Sequence, residues 1–305
     1  MPPTARKYNM ALIKKIGGKS VIVEPGAAPV AISAKKTLLV LPQEQNVPPE
    51  EFSSYTVLLY GEKKLGKTSL CSHFPGALFI ALEPGTKALK VFSQPANTYE
   101  ELEAVIDALE VDTRFGTVVV DTIDMAYEMT FDYICRKQGI KHPNEEDDYG
   151  ATFTRIKDTF KKLILRLITI PGKGILFISH DVEKEIETRD GSKIQRVQPT
   201  MAKGAMAIVD ALVDVIINLY YEDGNRWLRI DGTQTCVAGC RLEENFVRKD
   251  GTPRTAGDRI RVIPMGRTSL EAYDNLMSAY NNEQVDPDPS EGPRRSSALK
   301  KAKAE

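Results

Sequence analysis

The stretch VLLYGEKKLGKTSL, residues 57–70, decides how the rest of the chain reads. Its apolar start is a strand that stops abruptly in two glycines, three lysines and a threonine. Gly61, Gly66, Lys67 and Thr68 fit the pattern G-x-x-x-x-G-K-[ST] without a mismatch. Glycine lets the chain wrap so tightly that successive main-chain N–H groups turn inward on phosphate oxygens. The cradle predicted here runs through Gly61, Glu62, Lys63, Lys64, Leu65, Gly66, Lys67, Thr68 and Ser69. A short helix opening near Lys67 and closing at Phe74-Pro75 adds its unpaired N–H groups. The Lys67 ammonium is placed to reach the β and γ phosphates, and the Thr68 hydroxyl to ligate Mg²⁺. The bare pattern arises by chance in about one chain in a hundred of this length. A lysine-rich surface turn would not also follow an apolar strand and precede a helix.

Outward from this loop, short apolar runs recur at 55–60, 77–82, 117–120, 175–178 and 212–220. Helical patterns lie between them, most clearly at 99–110, 122–138 and 152–170. Strands apolar on both faces and alternating with helices predict an α/β core, a mostly parallel sheet flanked by helices. After Tyr221, YYEDGNRWLRIDG reads as a strand, a tight turn and a strand, followed by a last helix over about 268–281. The expected organisation is a partly extended N-terminal arm over 1–50, with TLLVL at 37–41 its one strand-like run, and an ATPase core over 51–222. A small β-rich extension over 223–281 and a polar, Pro-interrupted tail over 282–305, expected to be disordered, complete it.

Several other strand ends carry chemistry. Asp121 closes the run GTVVVD, where a carboxylate would complete the magnesium site or cap the next helix, or both. Glu83 ends ALFIALE; it either orients a water for attack on the γ-phosphate or is a turn residue before Pro84-Gly85. His180 ends GILFISH, as a contact to the γ-phosphate or as a strand-end cap. No N-K-x-D segment reads guanine, and no arginine-rich lid marks a small-molecule kinase.

Composition narrows the classes. The net charge of −1 among 305 residues gives no global basic field for nucleic acid, so any such site is local. Four cysteines in this length predict reduced thiols rather than a disulfide framework. Nowhere do 18 apolar residues run together and the N-terminus has no apolar leader, so a cytoplasmic chain with no membrane partner is expected.

GEKKLGKTS, LFIALEPGTKAL, TVVVDTID, ILFISHDVEKE and QPTMAKGAMAIVDALVDVIINL together resemble the short phage RecA-like ATPases, among them the fourth class of Sak-type single-strand annealing proteins. The resemblance covers about residues 51–222. It implies a RecA-like P-loop core and ATP with Mg²⁺. It also implies ring or filament homo-oligomers on single-stranded DNA, and a recombination role beside a single-strand DNA-binding protein. It makes Glu83 the water-orienting residue and His180 the γ-phosphate sensor. It implies an ATPase stimulated by single-stranded DNA. In such proteins the loop after the fourth strand touches DNA, which here holds Lys184, Arg189, Lys193 and Arg196. Residues 181–204 are neutral overall, and EKEIETRDGSKIQRVQ alternates as a hairpin with Glu183, Glu185 and Glu187 on one face and Lys184 on the other. A neighbour would lend a cation to the γ-phosphate from Lys203, Arg226 or Arg229. The alternative is a nucleotide-gated interaction protein with negligible turnover.

Overall fold

The computed structural model describes residues 12–16, 19–23, 44–145, 147–248 and 259–283. The TLLVL run at 37–41 and the tail from 284 lie outside them. The chain divides into two units, residues 1–47 and 48–305. In the first, β1 (Leu12–Ile16) pairs antiparallel with β2 (Lys19–Val23).

The second unit is an α/β fold with a mostly parallel central sheet flanked by helices. Its elements are β3 (Thr56–Gly61), α1 (Lys67–Cys71), β4 (Ala77–Ala81), β5 (Phe92–Pro95), α2 (Tyr99–Val111), β6 (Thr117–Asp121), α3 (Ile123–Gln138) and α4 (Ala151–Ile168). Then follow β7 (Gly174–Glu187), β8 (Lys193–Pro199), α5 (Lys203–Leu212), β9 (Val215–Glu222), β10 (Asn225–Arg229), β11 (Gly239–Cys240), β12 (Val262–Pro264) and α6 (Ser269–Tyr280). The strand order is β12-β10-β9-β3-β7-β6-β4-β5. From β9 to β5 every pairing is parallel; β10 and β12 continue the sheet antiparallel.

Period-two alternation explains why the strands are apolar on both faces. Leu58, Tyr60, Val118, Val120, Ile175 and Phe177 face one core with α2, α3, α4 and α5. Val57, Leu59, Val119, Leu176 and Ile178 face the other with α1 and α6. The helices form where sequence gives them a stripe and a cap. In α4, Ile156, Phe160, Leu163, Ile164 and Leu167 recur at three- and four-residue steps and are buried. Thr98 caps α2 by accepting from Glu101 N at 3.1 Å. Thr268 and Glu271 close a capping box on α6.

Two hairpins depart from the parallel plan. Asp223 and Gly224 both have positive φ, which turns β9 tightly into β10. β7 runs 14 residues, first inside the central sheet and then onward to pair antiparallel with β8. The turn between them is knotted by Asp190, which accepts from the Thr188 and Ser192 hydroxyls. The helix expected to reach Phe74 is shorter. α1 ends at Cys71, and Ser72, His73 and Phe74 continue as turns bonded to Thr68, Leu70 and Cys71 carbonyls. No described helix is long and apolar enough to cross a membrane.

Candidate nucleotide site

Strand order gathers the site. β7 lies between β3 and β6, so Gly61 stands opposite His180 and Asp121 opposite Ile178. On the other flank of β6, Ala81 pairs with Asp121. The N–H groups of Leu82 and Glu83 both donate to Asp121 O, at 2.8 and 3.2 Å. The carboxyl ends of β3, β6 and β4 thus meet the point at His180 where β7 leaves the central sheet, at the edge where ligands collect in parallel sheets.

The loop from β3 to α1 is built for close approach. A Cβ on Gly61 would stand 2.1 Å from the Leu219 carbonyl oxygen, so no side chain fits there. Gly66 caps α1 at φ 103°, in the left-handed region. Lys64 also has positive φ. Leu65 plugs into the core beside α1, while Glu62, Lys63 and Lys64 stay exposed. Ser69 is half-buried, and its carbonyl accepts from Ser72 Oγ.

Lys67 is only 6% exposed, and its Nζ donates to Gly61 O at 2.6 Å and Glu62 O at 2.8 Å. These bonds hold the ammonium across the mouth of the loop. Burial pulls its pKa down, opposed by the carboxylates of Asp181, Asp121 and Asp124. Thr68 Oγ1 donates to Asp121 Oδ2 at 2.9 Å. Asp121 is 5% exposed, and burial raises its pKa; the Thr68 bond opposes that shift and the Glu83 charge adds to it. Among the described residues no three His, Cys, Asp or Glu side chains form a metal cage. One hydroxyl and one carboxylate in contact are hard oxygen donors of the kind that suits Mg²⁺ carried in with phosphates.

The shift at Asp121 has a stability consequence. The folded chain holds the Asp121 proton more tightly than the unfolded chain, whose carboxyl titrates at its ordinary value near 3.8. Ionisation therefore opposes folding. The penalty is absent below the unfolded pKa and complete above the raised folded one. Asp121→Asn is expected to raise the melting temperature of the nucleotide-free protein at pH 7 and to lessen its dependence on pH between 4 and 7. Thermal unfolding across that range checks it, and a lower melting temperature at pH 7 would contradict it.

Glu83 is held by a residue that the sequence did not single out. Its Oε1 accepts from Thr122 Oγ1 at 2.8 Å, while Oε2 lies 3.7 Å from His180 Nε2. The carboxylate is thus fixed by one oxygen and faces the histidine with the other. His180 Nδ1 is buried with no hydrogen-bond partner among the described residues. Its carbonyl accepts from Thr200 N at 3.0 Å, and Thr200 Oγ1 donates to Asp124 Oδ1 at 2.6 Å. Thr122 and Asp124 sit beside Asp121 in the sequence, a signal that was present; Thr200 is 76 residues from its partner and gave none.

The other candidates are spread more widely. In the β7–β8 hairpin, Lys184 stands opposite Arg196 on one face, and Lys193 stands opposite Glu187 on the other. Lys193 is engaged by Glu185 at 2.8 Å, and Arg189 is exposed at the turn. Lys203 is exposed at the first turn of α5. Arg229 lies over the Tyr220 ring, 5.0 Å from its centroid. Arg226 belongs to the nucleotide loop of its own chain. Its Nη1 donates to Leu65 O at 3.4 Å and its Nη2 to Gly266 O and Arg267 O.

A phosphate loop after a parallel strand, with a threonine and a strand-end aspartate in contact across it, defines a P-loop protein of the ATPase type. The chain belongs to the AAA domain family, whose model matches residues 53–242. It is also similar, at 22% identity over 198 residues, to the SPbeta prophage-derived uncharacterized protein YorG of Bacillus subtilis (strain 168). That match covers 63% of this chain and 58% of YorG, so the chain spans little more than half of that relative's length.

Proposed function

We propose that this chain is an ATPase that binds single-stranded DNA and acts in phage recombination, in the manner of the Sak-type annealing proteins its segments resemble. The observation that carries the ATPase part is the meeting of Lys67, Thr68, Asp121, Glu83 and His180 at neighbouring strand ends. Phage origin rests on the prophage-derived relative, which also favours the host cytoplasm.

In this reading the amides of residues 61–69 and the Lys67 ammonium hold the triphosphate. Magnesium, when bound by Thr68 and Asp121, neutralises charge on phosphate oxygens. Glu83 orients a water and takes its proton while the water oxygen bonds to the γ-phosphorus and the bond to the bridging oxygen breaks. His180, facing Glu83 from β7, contacts the γ-phosphate. β7 then continues into the hairpin, so the sensor and the proposed DNA arm share one strand. Arg226 serves the phosphate loop of its own protomer, leaving Lys203 and Arg229 as the cations offered to a neighbour in a ring or filament.

ATP hydrolysis measured with and without single-stranded DNA, at two salt concentrations, tests the reading. Stimulation that weakens with salt is expected. A near-zero rate with intact nucleotide binding would favour the second reading, a nucleotide-gated interaction protein. The row of Glu183, Glu185 and Glu187 on one hairpin face is the observation that favours this alternative, because it suits a basic protein partner better than DNA. For the DNA reading, Lys184 and Arg196 share the opposite face. The double variant Lys184→Glu, Arg196→Glu is expected to lower the slope of log affinity against log salt by about 2. Filter binding over a salt series checks it, and an unchanged slope moves the DNA contact elsewhere.

A further inference from the structure

One helix face carries charge that the chain itself leaves unmatched. α4 holds five cations, Arg155, Lys157, Lys161, Lys162 and Arg166, against a single acid, Asp158. Arg166, on the side toward α2, is engaged by Asp107 and Glu110 at 2.6 and 2.7 Å. Arg136 of α3 is likewise engaged by Glu100 of α2. The other four cations of α4 are exposed, and none has a hydrogen bond or ion pair among the described residues. Helical spacing sets them in two rows on the outer surface, opposite the buried stripe of Ile156, Phe160, Leu163, Ile164 and Leu167. Lys157 and Lys161 stand one turn apart in one row, and Arg155 and Lys162 two turns apart in the other.

Like charges one turn apart repel, so Lys157 and Lys161 weaken α4 unless an anion from outside lies across them. Their row starts at the foot of the β7–β8 arm. A Cβ on Gly204 would stand 2.8 Å from Lys157 Cε, so this lysine's stem crosses the first turn of α5, and α5 opens just after β8 ends at Pro199. The chemistry of the face selects the anion. A specific protein partner needs an apolar core to its interface. Among the described residues of α4, Phe153 is the one large exposed hydrophobic, and it sits in the first turn against the His142 ring. A nucleic-acid backbone asks for charge and needs no pocket.

We infer that the outer face of α4 is a second surface for nucleic-acid phosphates, continuing the contact begun on the hairpin arm. This surface presupposes the DNA reading above and deepens it. DNA held by Lys184 and Arg196 gains a further track of phosphate contacts along the helical layer, on residues that take no part in the nucleotide site. No aromatic side chain stands between the four cations, so the face grips the backbone without stacking bases and takes any sequence. A single strand running on from the arm and a duplex present the same phosphates, and binding to each tells them apart.

The full chain is bound to oligo-dT and, separately, to a duplex over a salt series, with filter binding as the readout. The double variant Lys157→Gln, Lys161→Gln is expected to lower the slope of log affinity against log salt by about 1.4 for a single strand or about 1.8 for a duplex, the worth of two phosphate contacts. A fall with oligo-dT alone assigns the face to the single strand, and a fall with the duplex assigns it to the duplex as well. Asp158→Lys, which adds a cation between the rows, is expected to steepen the same slope by about 0.7–0.9. ATP hydrolysis measured without DNA should be unchanged in both variants. The melting temperature of the double variant should not fall, since a repulsion is removed. Unchanged slopes in the double variant, with both DNAs, overturn this surface and leave the face to an acidic protein. If Lys184→Glu, Arg196→Glu then still lowers the slope, the hairpin contact stands. If the wild-type chain binds neither DNA, the DNA reading fails, and this surface falls with it.

Discussion

Lys67→Ala is expected to weaken Mg-ATP binding about 10- to 150-fold, the equivalent of about 1.5–3 kcal/mol for a charge-assisted bond to phosphate. The geometry explains why nothing else substitutes. The ammonium is pinned by Gly61 O and Glu62 O, so its approach to the phosphates is set before the nucleotide arrives. Lys63 and Lys64 are exposed and carry no such constraint. The same change should cost little folding stability. Burial already weakens the proton affinity of Lys67, so the folded chain gains little from that charge in the absence of ligand. Lys67→Met keeps the stem that fills the loop and should lose the same affinity. Calorimetric titration of both variants with Mg-ATP checks this, alongside urea unfolding. Wild-type affinity in either variant would remove Lys67 from the site.

The second large effect is on turnover. Glu83→Gln is expected to slow hydrolysis by about 10²–10⁴, the usual contribution of a positioned general base. The substitution is informative because glutamine can still accept the Thr122 hydroxyl bond through its carbonyl oxygen. The backbone bonds of Leu82 and Glu83 to Asp121 O are also untouched. What is lost is the charge and the proton acceptor. ATP affinity should change little, and removing a neighbouring anion should let Asp121 ionise more readily. Single-turnover hydrolysis beside equilibrium binding separates these effects. Hydrolysis at the wild-type rate would exclude Glu83 from the chemistry.

Much of this site was legible because its parts are local. The loop from Gly61 to Ser69 announces itself through glycine spacing, and Asp121, Glu83 and His180 each close an apolar run. The strands and long helices were legible for the same reason: two-sided burial gives unbroken apolar runs, and α4 shows its stripe. What could not be read was pairing between distant segments. Nothing in GILFISH states that β7 inserts between β3 and β6, although that insertion sets His180 against Gly61. Arg226 looked like a cation free to act on a neighbour, because its bond to Leu65 O spans 161 residues. β5 went unseen for another reason. FSQP is exposed along its whole length, so burial imposed no alternation on it. The cleft lined by Tyr221 and Trp227 is assembled from β9, β10, the end of β12 and the first turns of α6, and no single stretch carries its signature.

The length of β7 has one more consequence. A strand shared by two pairing systems has a single phase, so the central sheet dictates which way every side chain of the hairpin arm points. Inserting one residue after Asp181 would leave the His180–Gly61 pairing in place and invert the arm beyond it. The row of glutamates and the Lys184 side would then exchange outlooks without any change of composition. The polarity of that arm is therefore written as a parity, odd positions against even, counted from the nucleotide outward.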